Sequence, residues 1–471
     1  MTILASGTDQ FVRQAEPQLT DSYGVIVLNG TGTDVLLEQQ AGSFRLPGVN
    51  IPRFARPAEQ ITSVLRDKWG ISTVLLFSTV IGGSPEQCQY AVLEASARCQ
   101  RLPAMLRWQP VEKAGCNLLD REEAELLQTC IARACQAYVG VDPAPFSRLG
   151  WIHRLHDWVG STIQPLGSEL TDVRQLNGSE TFSLVRLGTG RRPFWFKAVG
   201  HPNLHEYSIS LTLSHLFPGY VPKILASDPL LNGWLMESGG ESTLGDTEDL
   251  ETWLMAVQRL AQLQIESLQH TSQLLQAGCR DVRVETLASL VAPFFETMTR
   301  LMEQQTKTSP APLTREELAE LARTIRNALS LCIEIRLPDS LGHTDFNPWN
   351  ALVDGKSCVF TDWAEAHVGH PLLTFEYLAA HLHKSCPSLM RHCDCLRKAY
   401  CQVWQAVVPL PRILRSLQLS PLIAVYAYAS SGQSWRDPER LALPRVPAHL
   451  RSLTRRMKKE ADSLRQGGIC A

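Results

Sequence analysis

The sequence lacks a long apolar segment and an excess of charge of either sign. No uninterrupted apolar run approaches the ~18–20 residues that a membrane-spanning helix requires. Lysine and arginine number 45 against 47 aspartate and glutamate, so the charge balance gives no electrostatic reason to expect nucleic acid or an anionic membrane as a partner. The opening segment MTILASGTDQFVRQAEPQ lacks the basic and then apolar regions of a secretory signal. These absences predict a cytoplasmic protein.

The sequence also lacks the cysteine pattern of a disulfide framework, because its 13 cysteines are odd in number and scattered. The densest group lies in HLHKSCPSLMRHCDC. Zinc sites usually combine two separated pairs of ligands, and this group has no such pairs. We interpret it as part of a helical region, and the alternative is a metal site. The candidate ligands are His381, Cys386, His392, Cys393 and Cys395.

At 471 residues the chain is too long for one core, and lengths of ~100–200 residues per domain predict two to four units. The Pro- and Gly-rich segment GVDPAPFSRLG has the composition of a linker. Before it, RPAEQITSVLRDKWGI and DREEAELLQTCIARAC predict helices, and QYAVLEASA predicts a strand. After it, FSLVRLGTGRRPFWFKAV predicts a β-hairpin, and helical patterns dominate from about residue 245. The pattern predicts the α+β class.

The segment LGHTDFNPWNALVDG (341–355) groups a histidine, an aspartate and two asparagines. His343, Asp345 and Asn350 form the pattern H-x-D-x(4)-N, and Asp362 follows a predicted short hairpin. In phosphoryl transfer a carboxylate orients the attacking hydroxyl, and an amide oxygen with a second carboxylate holds Mg²⁺ on the phosphates. We therefore predict Asp345 as the catalytic base and Asn350 and Asp362 as metal ligands. The alternative is ordinary turn formation by Asp and Asn.

A phosphotransferase also needs a cation near the phosphates and a carboxylate that positions it. Lys197 ends the predicted strand PFWFKAV, and Glu206 lies in the next predicted helix. We predict that these two residues pair and serve catalysis. The alternatives are a solvent-exposed lysine, a glutamate on a hydrated helix face, and Glu180 as a rival partner.

Two further segments are candidates for nucleotide binding. In QLNGSETF, we expect the backbone N–H groups of Asn177, Gly178 and Ser179 to cover phosphate oxygens, together with Lys197. In LMESGGE, which we expect to connect two lobes, the backbone groups of Glu237 and Ser238 would face adenine or guanine.

Residues 165–400 resemble the aminoglycoside phosphotransferase/choline kinase family, which is related to the protein kinases. HTDFNPWNALV is similar to the family's H-G-D-x-H-x-x-N loop, and FTDWAEAHVGHPLLTFEYLA is similar to its I-D-W-E-x-A-x-x-G-D-P-x-x-D-L-A segment. The resemblance implies a two-lobed protein-kinase-like fold, ATP or GTP as the phosphoryl donor, Mg²⁺, and a small-molecule hydroxyl acceptor. It assigns the same roles to Asp345, Asn350, Asp362, Lys197 and Glu206.

The sequence departs from the family pattern at positions that do not carry the chemistry. Thr344, Asn347 and Trp349 stand where the family has Gly, His and a small residue. His370 and Glu376 occupy the places of two aspartates. These departures indicate a divergent branch, so the resemblance does not imply an acceptor, which could be an aminoglycoside, choline, a sugar, homoserine or a nucleoside-like alcohol.

Residues 36–71 resemble part of a Nudix domain, through the turn FRLPGV and a helix that ends before Gly70. Aligned back from that glycine, the family's acidic metal ligands fall on Val64, Asp67 and Lys68. One carboxylate is too few to hold Mg²⁺ on a helix, so we expect no Nudix catalysis. The alternative is an unrelated α+β domain.

Together these observations predict a small-molecule kinase that transfers the γ-phosphoryl group of ATP or GTP to a hydroxyl. The alternatives are a nucleotide-binding pseudoenzyme or regulatory scaffold and a protein kinase, and the missing D-F-G and A-P-E segments argue against the latter. The oligomeric state stays open. The predicted domains are a Nudix-like α/β domain at 1–140, a linker and helix at 141–164, a small lobe at 165–238 and a helical lobe at 239–465.

Overall fold

The computed structural model describes residues 19–466 apart from 41, 54, 82–87, 96–101, 138–141 and 356. The chain divides into two compact units, the first formed by Met1–Tyr207 with Lys223–Ser238 and the second by Ser208–Pro222 with Gly239–Ala471. Over the described part of the chain, no helix is both long and apolar enough to span a bilayer.

The first unit is rich in strands. Its elements in chain order are β1 (Thr20–Leu28), β2 (Asp34–Gln40), β3 (Ser43–Arg45), β4 (Gly48–Pro52), α1 (Pro57–Trp69), β5 (Thr73–Ile81), β6 (Cys88–Ala95), β7 (Leu106–Pro110), α2 (Val111–Lys113), α3 (Arg121–Ala134), α4 (Trp151–Ile163), β8 (Leu170–Gly178), β9 (Phe182–Thr189), β10 (Phe194–Val199), α5 (His205–Leu216, which continues into the second unit), β11 (Ile224–Asp228) and β12 (Gly233–Glu237).

Strands β1–β7 form one mixed sheet in which β1 pairs with β2 and β4 antiparallel and with β6 parallel. The helix α1 begins at Pro57, whose fixed φ suits the first helical position. It ends at Gly70, whose φ of 68° is a left-handed conformation that glycine adopts without a Cβ penalty. The predicted helices and the predicted strand of this region are confirmed, whereas its Nudix kinship stays a prediction. The buried residues of α1 are Ala58, Ile61 and Leu65.

A second sheet, in the order β11-β12-β10-β9-β8, contains the predicted hairpin as β9 and β10. One hydrophobic cluster joins Ile26 of the first sheet, Trp151 of α4, and Phe196 and Leu235 of the second sheet. Trp158 of α4 packs edge-on against Phe196, with 5.8 Å between ring centroids. Burial of one large apolar side chain stabilises by roughly 1.5–3 kcal/mol. The segment predicted as a linker helix is therefore a core element that the two sheets share.

The second unit is mainly helical. Its elements in chain order, after the end of α5, are β13 (Ser242–Thr243), α6 (Leu250–Glu266), α7 (Thr271–Gln276), β14 (Arg280–Val282), α8 (Val284–Glu303), α9 (Arg315–Ile335), β15 (Ser340–His343), β16 (Ala351–Asp354), β17 (Ser357–Phe360), β18 (Ala366–Gly369), α10 (Leu372–Ser385), α11 (Cys393–Trp404), α12 (Leu410–Ser431), α13 (Pro438–Leu441) and α14 (Arg445–Gln466).

Helices α8, α9, α12 and α14 enclose one hydrophobic cluster of this unit, and α6, α10 and α11 pack with β15–β18 around another. α9 begins with a capping box. Thr314 Oγ1 accepts the Glu317 N–H, and the Glu317 carboxylate accepts the Thr314 N–H. Short strands carry the chain between these helices: β18 pairs parallel with β14 and antiparallel with β15, and β16 pairs with β17.

The cysteine- and histidine-rich segment forms the end of α10, a turn at Pro387–His392 and the start of α11, so its interpretation as a helical region is confirmed. Its side chains have separate partners: the His381 ring stacks on Tyr377 at 4.8 Å, and Cys386 Sγ lies 3.7 Å from the Thr247 carbonyl. Among the side chains that the structure describes, which leave out that of His383, no group of three or more His, Cys, Asp or Glu is placed to hold a metal ion.

A buried carboxyl group connects the first sheet to α4. Glu94 on β6 is fully buried and accepts the Gly150 N–H at 2.9 Å, at the start of α4. Its other oxygen lies 3.8 Å from His153 Nε2. Burial raises the pKa of Glu94 from 4.5 to about 7, although the Gly150 bond and the charge of Arg154 oppose the rise. The folded protein therefore holds this proton more tightly than the unfolded chain does.

We predict that Glu94 makes the stability of the protein fall as the pH rises. Its contribution is complete below the unfolded pKa near 4.5 and is lost as the pH passes through about 7. Glu94→Gln still accepts the Gly150 bond but carries no charge, so at pH 8 its free energy of unfolding should exceed the wild-type value by up to ~3 kcal/mol. Urea unfolding at pH 5 and pH 8 measures this difference, with the exposed Glu122→Gln as control. Equal pH dependence in wild type and Glu94→Gln would contradict the prediction.

Candidate active site

The predicted catalytic loop leaves the sheet at the end of β15. His343 stands opposite Ala366 of β18, and the next N–H, that of Thr344, donates to the Glu365 carbonyl at 3.1 Å. His343 is buried, and its Nδ1 accepts the Asp345 N–H at 3.0 Å. Burial lowers the pKa of His343, so the ring is neutral and holds the loop through a hydrogen bond rather than through charge.

The backbone carbonyl of Asp345 organises the rest of the loop. It accepts the Asn347 N–H at 2.8 Å, the Asn350 Nδ2–H at 2.9 Å and the Asn347 Nδ2–H at 3.3 Å. Asn347 in turn caps a short turn at Pro348–Asn350 by accepting the Trp349 N–H at 3.0 Å. The two asparagines of the segment 341–355 therefore close the loop around the peptide group of Asp345.

A short hairpin brings the two predicted metal ligands together. β16 and β17 pair antiparallel, with Ala351 opposite Phe360. Just beyond this pair, the Thr361 N–H donates to the Asn350 carbonyl at 2.9 Å. Asn350 and Asp362 consequently stand next to each other at the open end of the hairpin. Asp362 is exposed and has a φ of 66°, a left-handed conformation that Asp and Asn adopt more readily than most residues.

The Asp345 carboxylate is held by a tyrosine of α10. Tyr377 donates its hydroxyl to Asp345 Oδ1 at 2.9 Å. Burial raises the pKa of Asp345 from 3.8 to about 7, and the charges of Asp362 and Glu365 add to the rise, whereas the Tyr377 bond opposes it. Glu365 itself pairs with Arg280. The hydrogen bond to Oδ1 leaves Oδ2 as the atom that could accept a proton from a bound hydroxyl.

The donor set of this loop suits Mg²⁺. The Asn350 amide nitrogen donates to the Asp345 carbonyl, so the amide oxygen is the atom of this side chain that could bind a cation. That oxygen and the Asp362 carboxylate are the hard ligands that Mg²⁺ prefers, and Mg²⁺ usually takes few protein ligands and completes its shell with phosphates and water. The residues present therefore fit a cation that is shared with a phosphate group.

In the first unit, Lys197 and Glu206 form the predicted ion pair. Lys197 Nζ lies 2.5 Å from Glu206 Oε1, and the two side chains are 8% and 2% exposed. The ammonium also lies 5.7 Å from the Phe182 ring centroid and 5.9 Å from that of Trp234. Lys197 is therefore held among apolar side chains with its carboxylate partner, and the alternative of a solvent-exposed lysine is excluded.

The predicted phosphate-covering turn follows β8. Asn177 and Gly178 still pair with β9, opposite Leu184 and Ser183. The Ser179 N–H donates to the Phe182 carbonyl at 3.0 Å, so this N–H is engaged within the turn.

The rest of the turn is also hydrogen-bonded. Ser179 Oγ accepts the N–H groups of Thr181 and Phe182 at 3.2 and 3.3 Å. Glu180, the rival partner for Lys197, pairs instead with Arg133 at 2.7 Å. The turn is thus ordered by its own bonds and by a residue of α3.

The predicted base-facing residues lie at the end of β12. Glu237 pairs with Phe194 of β10, its N–H donates to the Lys223 carbonyl at 2.9 Å, and its carboxylate lies 2.7 Å from Lys223 Nζ. Ser238 is the last residue of the first unit. The Glu237 N–H is therefore committed to its own sheet, and recognition of a base at this position would fall to carbonyl groups or to Ser238.

Sequence reasoning missed Tyr377. The residue follows Glu376 in FEYLA, and the family pattern assigns it no role. A helical projection offers one signal, because Tyr377 and His381 lie four residues apart and share a face of α10. The ring centroids of Tyr377 and His381 lie 4.8 Å apart, and that of Tyr428 in α12 lies 5.6 Å from that of Tyr377. The tyrosine that bonds Asp345 is therefore packed between two other rings.

The two residues that stand where the family has aspartates, His370 and Glu376, make structural contacts. His370 precedes α10, is buried, and its Nδ1 accepts the Leu372 N–H at 3.3 Å. Burial lowers the pKa of His370 to about 4, so a neutral imidazole supplies the acceptor at the helix start. Glu376 accepts the Ser420 hydroxyl at 2.6 Å and connects α10 with α12.

Comparison with known proteins places these residues in a family. Residues 172–385 match the Phosphotransferase enzyme family, and no curated protein matches the sequence. Similar solved structures include a choline kinase from Cryptosporidium parvum Iowa II, at 12% identity and a TM-score of 0.48, over 68% of this chain and 97% of that chain. An ethanolamine kinase from Plasmodium vivax is 13% identical with a TM-score of 0.44, over 74% and 91% of the two chains. A choline kinase from Streptococcus pneumoniae is also 13% identical, with a TM-score of 0.41, over 66% and 99%.

The matched segment contains Lys197, Asp345, Asn350 and Asp362, which sequence analysis had singled out. Residues 172–385 of this chain form a domain of the phosphotransferase family.

Proposed function

We propose that the protein transfers the γ-phosphoryl group of ATP or GTP to a hydroxyl group of a small molecule. The observation that carries the proposal is the loop in which the Asn350 amide donates to the Asp345 carbonyl, and in which a hairpin returns the chain from Asn350 to Asp362. The charge of Asp362 acts on the Asp345 carboxylate. The family match over residues 172–385 supports the reaction class.

Asp345 is the residue that would orient the acceptor. Its Oδ1 is occupied by Tyr377, so Oδ2 can accept the hydrogen bond of the attacking hydroxyl and take its proton as the bond to phosphorus forms. Such a positioned base typically contributes ~10²–10⁴-fold to the rate. The hydrogen-bonded loop around the Asp345 carbonyl fixes the carboxylate before substrate arrives, and this fixed placement favours transfer.

Lys197 and the metal ligands would neutralise the donor phosphates. The Glu206 carboxylate holds the Lys197 ammonium in one orientation within an apolar surrounding, where its attraction to phosphate is stronger than in water. Asn350 and Asp362 would hold Mg²⁺, which when bound offsets charge on the phosphate oxygens.

The surroundings of Asp345 point to the kind of acceptor to test. The hydroxyl of Tyr377 bonds the carboxylate, and the rings of Tyr428 and His381 pack against the Tyr377 ring. Aromatic faces attract cations and apolar groups. The solved structures similar to this chain include kinases of choline and ethanolamine. A panel of acceptors should therefore include cationic amino alcohols beside aminoglycosides and neutral sugars.

We predict that Asp345→Asn abolishes most turnover while nucleotide binding survives. The asparagine keeps an oxygen for the Tyr377 hydroxyl but cannot take a proton, so kcat should fall by ~10²–10⁴-fold. The Kd for Mg-ATP or Mg-GTP should stay within about twofold, because Asn350 and Asp362 remain. Acceptor-stimulated nucleotide turnover and calorimetric binding measure the two quantities.

Asp354→Asn is the matched control, because it removes the same charge from the exposed turn of the same hairpin. Unchanged kcat in Asp345→Asn would show that Asp345 is not the base. Tight nucleotide binding without turnover for any acceptor would favour a pseudoenzyme or regulatory scaffold instead.

We predict that Asp362→Asn raises the Mg²⁺ concentration for half-maximal turnover by about tenfold or more, a loss of ~1.4 kcal/mol or more in binding. Asparagine tolerates the left-handed backbone at this position, so the fold should be kept while one charged ligand is lost. A Mg²⁺ titration at saturating nucleotide measures the change, with Asp354→Asn again as control. An unchanged Mg²⁺ requirement would exclude Asp362 as a ligand.

A further inference from the structure

The phosphotransferase match begins at residue 172, so it gives no role to the sheet β1–β7 and helices α1–α3, here called the N-terminal block. This block meets the phosphotransferase domain along β8, the strand that leads into the turn 177–181. The contacts in this part of the first unit are more specific than the packing of two apolar faces.

The first contact is made by Gln175 of β8, which is 4% exposed. Its amide oxygen accepts the Leu75 N–H at 2.7 Å, and its amide nitrogen donates to the Leu75 carbonyl at 3.0 Å. The nitrogen also donates to Ser183 Oγ at 3.1 Å. The side chain thus pairs with both backbone groups of one residue of β5, as a neighbouring strand would. It does so where the pairing of β5 with β6 shifts register.

Gly178 packs closely against the Gln175 side chain. A Cβ atom at this position would lie 2.6 Å from Gln175 Nε2 and 3.4 Å from the Cβ of Ala58 in α1. Contacts under 3.0 Å are essentially never made by real Cβ atoms. A larger residue at this position would therefore displace the Gln175 amide from its bonds to Leu75.

The second contact lies on the turn itself. Arg133 of α3 reaches Glu180 at 2.7 Å, and the Arg133 guanidinium stacks 4.0 Å from the Phe77 ring centroid. Phe77 belongs to β5, the strand that Gln175 binds. The turn 177–181 is held at its base by β5 and at its tip by α3.

We propose that the N-terminal block positions the turn 177–181 for the phosphates of the donor nucleotide, with Gln175 and the Arg133–Glu180 pair as its positioning residues. The inference rests on the proposed function and on the prediction from the sequence that this turn covers the donor phosphates. A turn that is ordered before the nucleotide arrives saves the conformational entropy that ordering would cost during binding. The block acts as a fixed part of the nucleotide site and needs no chemistry of its own.

A double-mutant cycle tests the proposal. The variants are Arg133→Gln, Glu180→Gln and the combination, and the readouts are the Kd values for Mg-ATP and for adenosine. Coupling between the two positions separates the ion pair from the direct effect of the Glu180 charge on phosphate. We expect a coupling of about three- to fivefold on ATP affinity, the range of an exposed ion pair, and none on adenosine, which has no phosphate.

Asp172→Asn is the control, because it breaks the Asp172–Arg174 pair, which is also 2.7 Å long but lies within β8 rather than on the turn. Gln175→Met, whose folding is checked by thermal unfolding, should weaken ATP binding more than the ion-pair variants do. The proposal would be overturned if the cycle showed no coupling in the Kd for Mg-ATP, or if the variants lost equal affinity for Mg-ATP and for adenosine. Absence of nucleotide binding by the wild type would instead reject the proposed function, and this inference with it.

Discussion

The carbonyl oxygen of Asp345 is the acceptor on which the catalytic loop depends. Bonds from the backbone of Asn347 and the side chains of Asn347 and Asn350 converge on it. Each bond fixes a different part of the loop, so the direction of the Asp345 side chain and the orientation of the Asn350 amide are set together. The proposed base and one proposed metal ligand are thus placed by the same acceptor, which is the fixed placement that a phosphoryl transfer requires.

Two departures from the family pattern make structural contacts of α10. His370 supplies a neutral hydrogen-bond acceptor at the start of α10, and Glu376 bonds Ser420 across to α12. His370 is buried and Glu376 is partly buried. Burial holds the imidazole neutral and raises the pKa of the Glu376 carboxyl. These positions therefore serve packing and helix capping, and their divergence leaves the groups of the proposed phosphoryl transfer intact.

The N-terminal block shares a core with the phosphotransferase domain. α4 carries apolar residues that both sheets of the first unit bury. Polar contacts accompany this core, with Glu94 on the start of α4 and Gln175 on the backbone of β5. Buried polar groups are costly without partners. These bonds therefore specify how the first sheet is placed against α4 and β8, which apolar contact alone would not do.

The sequence by itself determined the parts of the site that are local in the chain. Asp345, Asn350 and Asp362 could be recognised because a short hairpin is enough to bring them together, and Lys197 and Glu206 lie nine residues apart on a strand and the helix that follows it. Only the tertiary structure decided the partners that are remote in sequence: Tyr377 for Asp345, Leu75 for Gln175 and Gly150 for Glu94. A hydrogen bond between distant residues leaves no periodicity or spacing in the sequence, because it depends on how separate elements pack, and so it becomes visible only once the chain is folded.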